Sequence, residues 1–237
     1  MKEIKQIYAR LLRAYGPQGW WPVTNSNGIV PIYQKRKRLT DKQKFEVMIG
    51  AMLTQNTSWD NVEKVMMQLK KQSLIDPISI MNVSRGVLTK TIKGVGYFNK
   101  KAERLKLLAQ FIKQYTQKKL QLMSTDTLRE LLLSQNGIGS ETADSIMLYA
   151  FNRPCFVIDA YTKRIIQRIT GNREQLSYES LQYLFHSELQ QDSDCFNEYH
   201  ALLVEHAKQC CTKKAPKCNG CPILDICKAG KSATRAF

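Results

Sequence analysis

Apolar residues recur at intervals of three to four positions along most of the 237-residue chain. This is the spacing of side chains on one face of an α-helix, and it predicts helices rather than strands. All seven prolines, at positions 17, 22, 31, 77, 154, 216 and 222, fall between the periodic segments, where a missing amide does no harm. The sequence therefore predicts an all-α fold.

The periodic segments predict the bounds of ten helices. These are 2–15, 41–55, 58–71, 84–92, 98–116, 125–134, 140–150, 159–170, 177–190 and 195–209. The segment CFVID at 155–159 is the one stretch typical of a strand, and a single strand cannot form a sheet.

The charge of the chain indicates a polyanionic partner. It has 36 Lys and Arg against 20 Asp and Glu, a formal net charge of +16 and a pI near 9.6. Such a surface attracts nucleic acid through counterion release, although a solvated basic surface is the alternative. The N-terminal segment MKEIKQIYARLLRAY resembles neither a signal peptide nor a membrane span. We therefore expect a cytoplasmic monomer with no membrane partner, associated with the nucleoid if its source is bacterial or archaeal.

Four of the seven cysteines lie close together near the C-terminus and predict a metal site. Cys211, Cys218, Cys221 and Cys227 follow the pattern Cys-x6-Cys-x2-Cys-x5-Cys. Four thiolates at such spacing suit one tetrahedral or cuboidal centre, and spacing alone does not separate zinc from iron and sulfur. We expect the remaining cysteines to be small buried residues and the histidines to be structural; these are Cys155, Cys195, Cys210, His186, His200 and His206.

The segment NGIGSETADSIMLYA at 136–150 predicts a tight turn that opens a helix. Gly137 and Gly139 lie in the turn, and the exposed amides of a helix N-terminus favour an anion such as a DNA phosphate. The same turn is also an ordinary way to join two antiparallel helices. Twenty residues beyond Gly139, after a short apolar run, Asp159 opens the next helix.

These motifs resemble the helix-hairpin-helix DNA glycosylases of the endonuclease III family, over about residues 45–227. The resemblance implies that Asp159 is the catalytic carboxylate and that the glycine turn binds the DNA strand. The segment LTQNTSW at 53–59 is similar to the loop whose Gln enters the gap left by a flipped nucleotide, which would be Gln55, with Asn56 beside it on the DNA. The segment GYFNKKAERL at 96–105 is similar to the loop that wedges the opposite strand, with Tyr97 as the wedge.

The same resemblance implies a cofactor and a domain organisation. The four clustered cysteines would hold a 4Fe-4S cluster, and the loop between the first two would present Lys213, Lys214 and Lys217 to the phosphate backbone. The fold would have two lobes, a six-helix bundle at 38–153 and an iron-sulfur cluster domain made of 1–37 and 154–237. The active-site cleft would lie between them, and the partner would be double-stranded DNA that contains damaged bases.

The chain departs from the bifunctional members of this family at one position. Those members carry a lysine in the second helix of the hairpin that attacks C1′ and forms a Schiff base, and Glu141 aligns with it here. Because a carboxylate cannot form an imine, we expect a monofunctional glycosylase, with Glu141 and Asp159 on opposite walls of the cleft as candidate catalytic residues. Lys163, four residues after Asp159, is the alternative amine.

Three aromatic residues favour N-alkylated purines as the substrate. Trp20 and Trp21 lie in an irregular loop and Phe45 opens the next helix, so we predict that they form the base pocket. A methylated purine such as 3-methyladenine is cationic and gains about 0.5–2 kcal/mol against each aromatic face. These features are similar to the 3-methyladenine glycosylase branch of the family, although its best-known members lack the cluster cysteines. Packing of the N-terminal segment is the alternative for Trp20 and Trp21.

Three other functions remain open at this point. The chain could be a glycosylase and lyase for oxidised pyrimidines, a monofunctional mismatch enzyme for adenine or uracil, or a non-catalytic DNA-binding module that keeps the hairpin and the cluster.

Overall fold

The computed structural model describes residues 3–25, 27–34, 38–172 and 176–235. Residues 2 and 37, which the sequence assigns to the start of the first helix and the end of the first segment, lie outside these ranges. Within them the chain forms α-helices, one short 3-10 helix and a single isolated antiparallel bridge between Val23 and Ile32. The predicted all-α fold is confirmed. None of the helices in the described ranges has the length and apolar character needed to span a bilayer.

The described residues contain thirteen α-helices. They are α1 (Glu3–Tyr15), α2 (Asp41–Leu53), α3 (Trp59–Lys71), α4 (Pro77–Asn82), α5 (Arg85–Thr91), α6 (Phe98–Gln114), α7 (Gln117–Leu122), α8 (Thr125–Leu133), α9 (Ser140–Phe151), α10 (Ala160–Thr170), α11 (Tyr178–Glu188), α12 (Ser193–Gln209) and α13 (Lys228–Arg235). The 3-10 helix is Leu224–Ile226.

The chain divides into two compact units, Trp21–Arg153 and the pair of segments Met1–Trp20 and Pro154–Phe237. The sequence placed the first boundary after residue 37, whereas the structure places it after Trp20. The reason is that residues after Trp20 form hydrogen bonds to helices of the larger unit. The amide and hydroxyl of Thr24 both donate to the buried carboxylate of Glu46 at 2.9 Å, which attaches this segment to α2.

The unit Trp21–Arg153 is built around α2 and α9, which pack against each other. Residues 45–53 of α2 are all buried, and so is nearly all of α9 beyond its first turn. A helix that is buried on every side marks the centre of a domain rather than its surface. Gly50 is required on α2, because a Cβ there would lie 2.8 Å from Cζ2 of Trp21.

The other unit packs α1 and α10 against α12. The apolar face of α1 is buried, and the hydroxyl of Tyr199 on α12 donates to the carbonyl oxygen of Ile4 at 2.9 Å. Phe156 stacks on Phe185 with ring centroids 3.8 Å apart and meets Phe196 edge-on. Phe156, three residues before Asp159, is therefore part of an aromatic core.

Several short elements differ from the sequence prediction. The sequence missed α4, α7 and α13, because six to eight residues complete only about two helical turns and give a weak period, although α5 of similar length was predicted. The unit that contains the bundle therefore has eight helices in its described part, not six. Pro77 was expected between helices, but it is the first residue of α4, a position where its missing amide costs nothing.

The predicted strand at 155–159 is wrong. The described residues there belong to no strand, because their backbone amides bind side chains instead of a neighbouring strand. The amide of Phe156 donates to Nε2 of His186 at 2.9 Å, and its carbonyl oxygen accepts from Gln182 at 2.8 Å. The segment is a buried connection that leads into α10.

Candidate functional site

The glycine turn between α8 and α9 has the form that the sequence predicted. Gly137 has a φ of +86°, which favours glycine, and Gly139 is the N-cap residue of α9. No side chain caps this end of α9 in the described chain, and the first amides of a helix have no partner inside it. The turn therefore presents backbone donors that suit an anion.

Gln55 connects the loop after α2 to this turn. Its Nε2 donates to the carbonyl oxygen of Gly137 at 2.8 Å and to Oγ1 of Thr142 at 2.9 Å. Its Oε1 accepts from Arg104 at 2.8 Å. Both ends of the Gln55 amide are thus engaged within the protein, whereas the next residue, Asn56, is exposed and has a φ of +52°.

A buried lysine that the sequence analysis missed holds the same loop. Nζ of Lys101 on α6 donates to the carbonyl oxygens of Leu53 and Gln55 and to Oγ1 of Thr57, each at 2.8 Å. Burial, reinforced by the charge of Arg104, lowers the pKa of Lys101 to about 8. The helical period gave a signal for it, since Lys101 lies four residues before the buried Leu105 on the apolar face.

Tyr97 lies beside this loop. It precedes α6 with a φ of +56°, and 73% of its surface is exposed. A Cβ on its neighbour Gly96 would lie 3.9 Å from the carbonyl oxygen of Asn56. Within this unit the structure therefore brings together the two segments that the sequence assigned to the DNA interface. Glu141 is exposed on the first turn of α9.

Asp159 lies in the other unit, at the N-terminus of α10. Its Oδ1 accepts a hydrogen bond from the amide of Thr162 at 2.7 Å, and its Oδ2 lies 3.6 Å from Nε2 of His200 on α12. Thirteen per cent of the Asp159 side chain is exposed. Burial by itself would raise the pKa of this carboxyl, but His200 and the cap bring the pKa below its ordinary value. The side chain is therefore an anion at neutral pH.

The three residues predicted for the base pocket lie in different surroundings. Trp21 is half-buried and meets Trp59 edge-on, with centroids 5.1 Å apart, and Tyr149 at 5.2 Å. Trp20 is half-buried and clusters with the other unit. Phe45 is 0% exposed in the core of its unit, so the structure corrects its placement: it has no exposed face to offer a base.

The four predicted cysteine ligands line one cavity. Cys211, Cys218, Cys221 and Cys227 share it with apolar side chains, and N–H donors point at two of the sulfurs. Arg168 donates to Sγ of Cys211 at 3.1 Å, and the amide of Gly230 donates to Sγ of Cys227 at 3.3 Å. Such donors stabilise thiolates. The cavity can thus hold a metal centre that is ligated by sulfur.

Two further ligand atoms reach this cavity. His206, Cys210 and Cys221 have ligand atoms within 4.8 Å of one another, and Nδ1 of His206 is 2.9 Å from the hydroxyl of Tyr15. Cys210 is therefore not the buried apolar residue that the sequence predicted, and Cys195 is also partly exposed. Cys155 is buried, as expected.

The loop between the first two cysteines is held by Arg168. Its guanidinium donates to the carbonyl oxygens of Thr212 at 2.7 Å and Lys213 at 3.0 Å. The side chains of Lys213, Lys214 and Lys217 are exposed around it. The loop therefore has an ordered backbone and a cationic outer surface.

Comparison with known proteins gives a family match. The model of the HhH-GPD superfamily of base excision DNA repair proteins matches residues 49–191. The chain is 41% identical over 228 residues to a protein of Methanocaldococcus jannaschii that is provisionally named a DNA repair glycosylase, and the alignment covers 94% of this chain and 95% of that protein.

Solved structures are similar as well. The chain is 26% identical to the H. pylori 3-methyladenine DNA glycosylase bound to 1,N6-ethenoadenine, with a TM-score of 0.66 over 87% of this chain and 96% of that one. A trapped covalent intermediate of endonuclease III with DNA gives a TM-score of 0.78 over 99% of both chains. Its sequence identity is 18%, so that likeness concerns the fold.

The two glycines of the turn should respond differently to substitution. Gly137→Ala puts a Cβ 2.4 Å from Nε of Arg104 at a positive φ, and we expect it to lower the free energy of unfolding by about 2–3 kcal/mol. Gly139→Ala meets nothing within 4 Å and has an ordinary φ, so it should cost about 0.5–1 kcal/mol, the price of a poor N-cap. Urea denaturation measures both. Equal losses at the two positions would contradict this account of the turn.

Proposed function

Since the chain belongs to the HhH-GPD superfamily of base excision DNA repair proteins and is a DNA glycosylase, we propose that it is a monofunctional enzyme for N-alkylated purines such as 3-methyladenine. It flips the damaged nucleotide out of double-stranded DNA, hydrolyses the bond between base and deoxyribose, and leaves an intact abasic site.

The environment of Asp159 carries this proposal. A carboxylate at a helix N-terminus is most often only a cap, and Asp159 does cap α10 through Oδ1. Its second oxygen, Oδ2, takes no part in the cap hydrogen bond. Part of the side chain is exposed, and the pKa of the carboxyl lies below its ordinary value. The site therefore offers a fixed negative charge.

A fixed anion suits the chemistry of glycosidic bond cleavage. When the bond to the base lengthens, positive charge develops on the deoxyribose ring at C1′, and a nearby carboxylate stabilises it. An alkylated purine is already cationic, so it leaves as a neutral base without a general acid. Asp159 then orients the water that attacks C1′ and takes up its proton. One carboxylate is sufficient for this reaction.

Two lysines that could replace the family's amine have other contacts in the described part of the chain, which supports the loss of lyase activity. Position 141 carries Glu, which cannot form an imine. Nζ of Lys163 lies over the ring of Tyr178, 5.7 Å from its centroid. Nζ of Lys101 is buried and donates to three acceptors of the loop after α2. We assign Glu141 no step in base release.

The DNA interface is proposed to use backbone amides, the loop after α2 and exposed side chains. The amides beside Gly137 and Gly139 bind a phosphate, and Tyr97 wedges the opposite strand. Because the Gln55 amide is engaged by the hairpin and Arg104, we infer that Asn56 enters the gap in the duplex and that Gln55 couples this loop to the turn. Exposed lysines of the cysteine loop contact the backbone electrostatically; they are Lys213, Lys214 and Lys217.

The preference for a cationic base is proposed to come from aromatic faces. Trp21 presents a half-buried indole supported by Trp59 and Tyr149, and Trp20 precedes it. Each aromatic face contributes about 0.5–2 kcal/mol to a bound cation. The similarity to a 3-methyladenine glycosylase adds support for this substrate class. Phe45 is left out of the pocket because it is fully buried.

Base release from methylated DNA tests the function. Incubation of the protein with DNA treated with dimethyl sulfate should release 3-methyladenine, identified by mass, and the strand should stay intact until alkali is added. Borohydride should trap no covalent adduct, since only an imine is reduced to one. A trapped adduct would establish the lyase instead, and release only from adenine or uracil mismatches would establish the mismatch enzyme.

The variant Asp159→Asn tests whether base release depends on this carboxylate. Asparagine is an equally good N-cap, so the helix keeps its cap, and we expect single-turnover base release to fall at least about 100-fold with little change in DNA binding. Asp192→Asn is the matched control, because Asp192 caps α12 in the same unit. If wild type and Asp159→Asn showed the same negligible release across a panel of lesions, the chain would be a DNA-binding module.

A 4Fe-4S cluster is the metal centre that we propose for the cysteine cavity. Four cysteines around one cavity, apolar walls and N–H donors on two sulfurs fit such a group. When bound, the cluster supplies four covalent cross-links that hold the segment 211–227 in one fold. Cys211, Cys218, Cys221 and Cys227 would ligate it, and Arg168 would keep the first of them oriented.

Two adjacent cysteines make a matched test of the ligand set. Cys211→Ser should lose most of the bound iron and the visible absorption, whereas Cys210→Ser should keep about four irons per chain, because Sγ of Cys210 donates to the carbonyl oxygen of Lys217 instead. Iron, zinc and sulfide analysis of both purified variants measures this. Loss of metal only in Cys210→Ser, or zinc without sulfide in the wild type, would contradict the proposed cluster.

A further inference from the structure

Asp159 is approached on its second carboxylate oxygen by a histidine that the sequence analysis treated as structural. Nε2 of His200 lies 3.6 Å from Oδ2, which is roughly 0.6–0.7 Å longer than a typical hydrogen bond. The two residues are 41 positions apart in sequence and meet because α10 packs against α12. The His200 side chain is only 9% exposed.

The two oxygens of Asp159 have different surroundings. Oδ1 is held at 2.7 Å by the amide of Thr162, a rigid part of α10. With one oxygen fixed, the remaining freedom of the carboxylate is a rotation that moves Oδ2. Nε2 of His200 lies close to Oδ2 and therefore limits that rotation. A carboxylate fixed at two points loses little freedom when it meets a developing charge, and this is the condition for strong electrostatic stabilisation.

His200 is itself held in place by the aromatic core. Its ring meets Phe156 edge-on at an interplanar angle of 84°, with centroids 6.5 Å apart. Phe156 belongs to the buried segment that leads into Asp159, and it stacks on Phe185. The imidazole and the carboxylate are thus positioned by the same packed cluster, which limits how far they can move apart.

We propose that His200 is a positioning residue for base release, which donates a proton-bearing Nε2 to Oδ2 of Asp159 and fixes the carboxylate toward C1′. This inference rests on the proposed role of Asp159. His200 does not touch the substrate and exchanges no proton with it. The contact shortens to a hydrogen bond when DNA is bound, as catalytic hydrogen bonds commonly do between the free and the bound enzyme.

Two neutral amides test this role, because they differ mainly in reach. The side-chain nitrogen of Gln at position 200 can take the place of Nε2, whereas that of Asn stops near the position of Nδ1. We expect His200→Asn to lower the single-turnover rate on dimethyl sulfate-methylated duplex by about 10- to 100-fold, as a misplacement of about 1 Å can. His200→Gln should stay within about 3-fold of the wild-type rate.

Binding and stability separate positioning from folding. Both variants should bind a duplex that contains a tetrahydrofuran abasic-site analogue within about 2-fold of wild type, because the rate and not the affinity depends on the carboxylate angle. If thermal unfolding shows that His200→Asn is not folded, the single-turnover rate of His200→Gln is the test. A loss of 10-fold or more in the rate of His200→Gln overturns the inference. Wild-type rates in both variants overturn it as well.

The proposed function fails in a different way. If the wild-type protein releases no base from methylated DNA or from any lesion duplex, the glycosylase proposal fails before any variant is compared. If the wild type is active and His200→Asn is equally active, only the role of His200 is lost.

Discussion

A carboxylate loses most of its hydration when it is buried, and burial alone would favour the neutral form of Asp159. Two contacts reverse this: the amide of Thr162 at one oxygen and the imidazole of His200 at the other. The negative charge is therefore maintained by the protein rather than by water. An anion of this kind interacts more strongly with positive charge on a deoxyribose than a solvated one does, because little solvent screens it.

The surface proposed to bind DNA depends on a second set of contacts, within the other unit. The buried Nζ of Lys101 holds the backbone of the loop after α2 by hydrogen bonds, and Gln55 joins that loop to the glycine turn. The exposed Asn56 and the amides of the turn are consequently parts of one connected structure. A loop that is already rigid in the free protein loses less conformational entropy when it binds DNA, which favours tight insertion into the duplex.

The sequence predicted those features that depend on periodicity or on local spacing. The long helices, the glycine turn and the four clustered cysteines all follow from patterns within about 20 residues. The short helices α4, α7 and α13 were missed because six to eight residues give only a weak 3.6-residue period, although α5 of similar length was predicted. The segment 155–159 has the composition of a strand, but its amides bind side chains of α11 that the local sequence does not reveal.

Contacts between distant residues account for the remaining differences. Nothing near position 200 indicates that His200 faces Asp159, because their approach depends on the packing of α10 against α12. The burial of Phe45 likewise depends on how α2 is enclosed by its neighbours. Lys101 was open to prediction, since a lysine on the apolar face of a helix is unusual and indicates buried acceptors.

Affinity for a charged mimic of the reacting sugar tests the central claim most directly. Duplexes that contain a cationic pyrrolidine or a neutral tetrahydrofuran at the abasic position differ mainly in the charge beside C1′. The wild type should bind the pyrrolidine duplex at least about 10-fold more tightly, and Asp159→Asn should lose most of that preference. Equal affinity of the wild type for the two duplexes, or the same preference in Asp159→Asn, would contradict the claim that this carboxylate faces the reacting carbon.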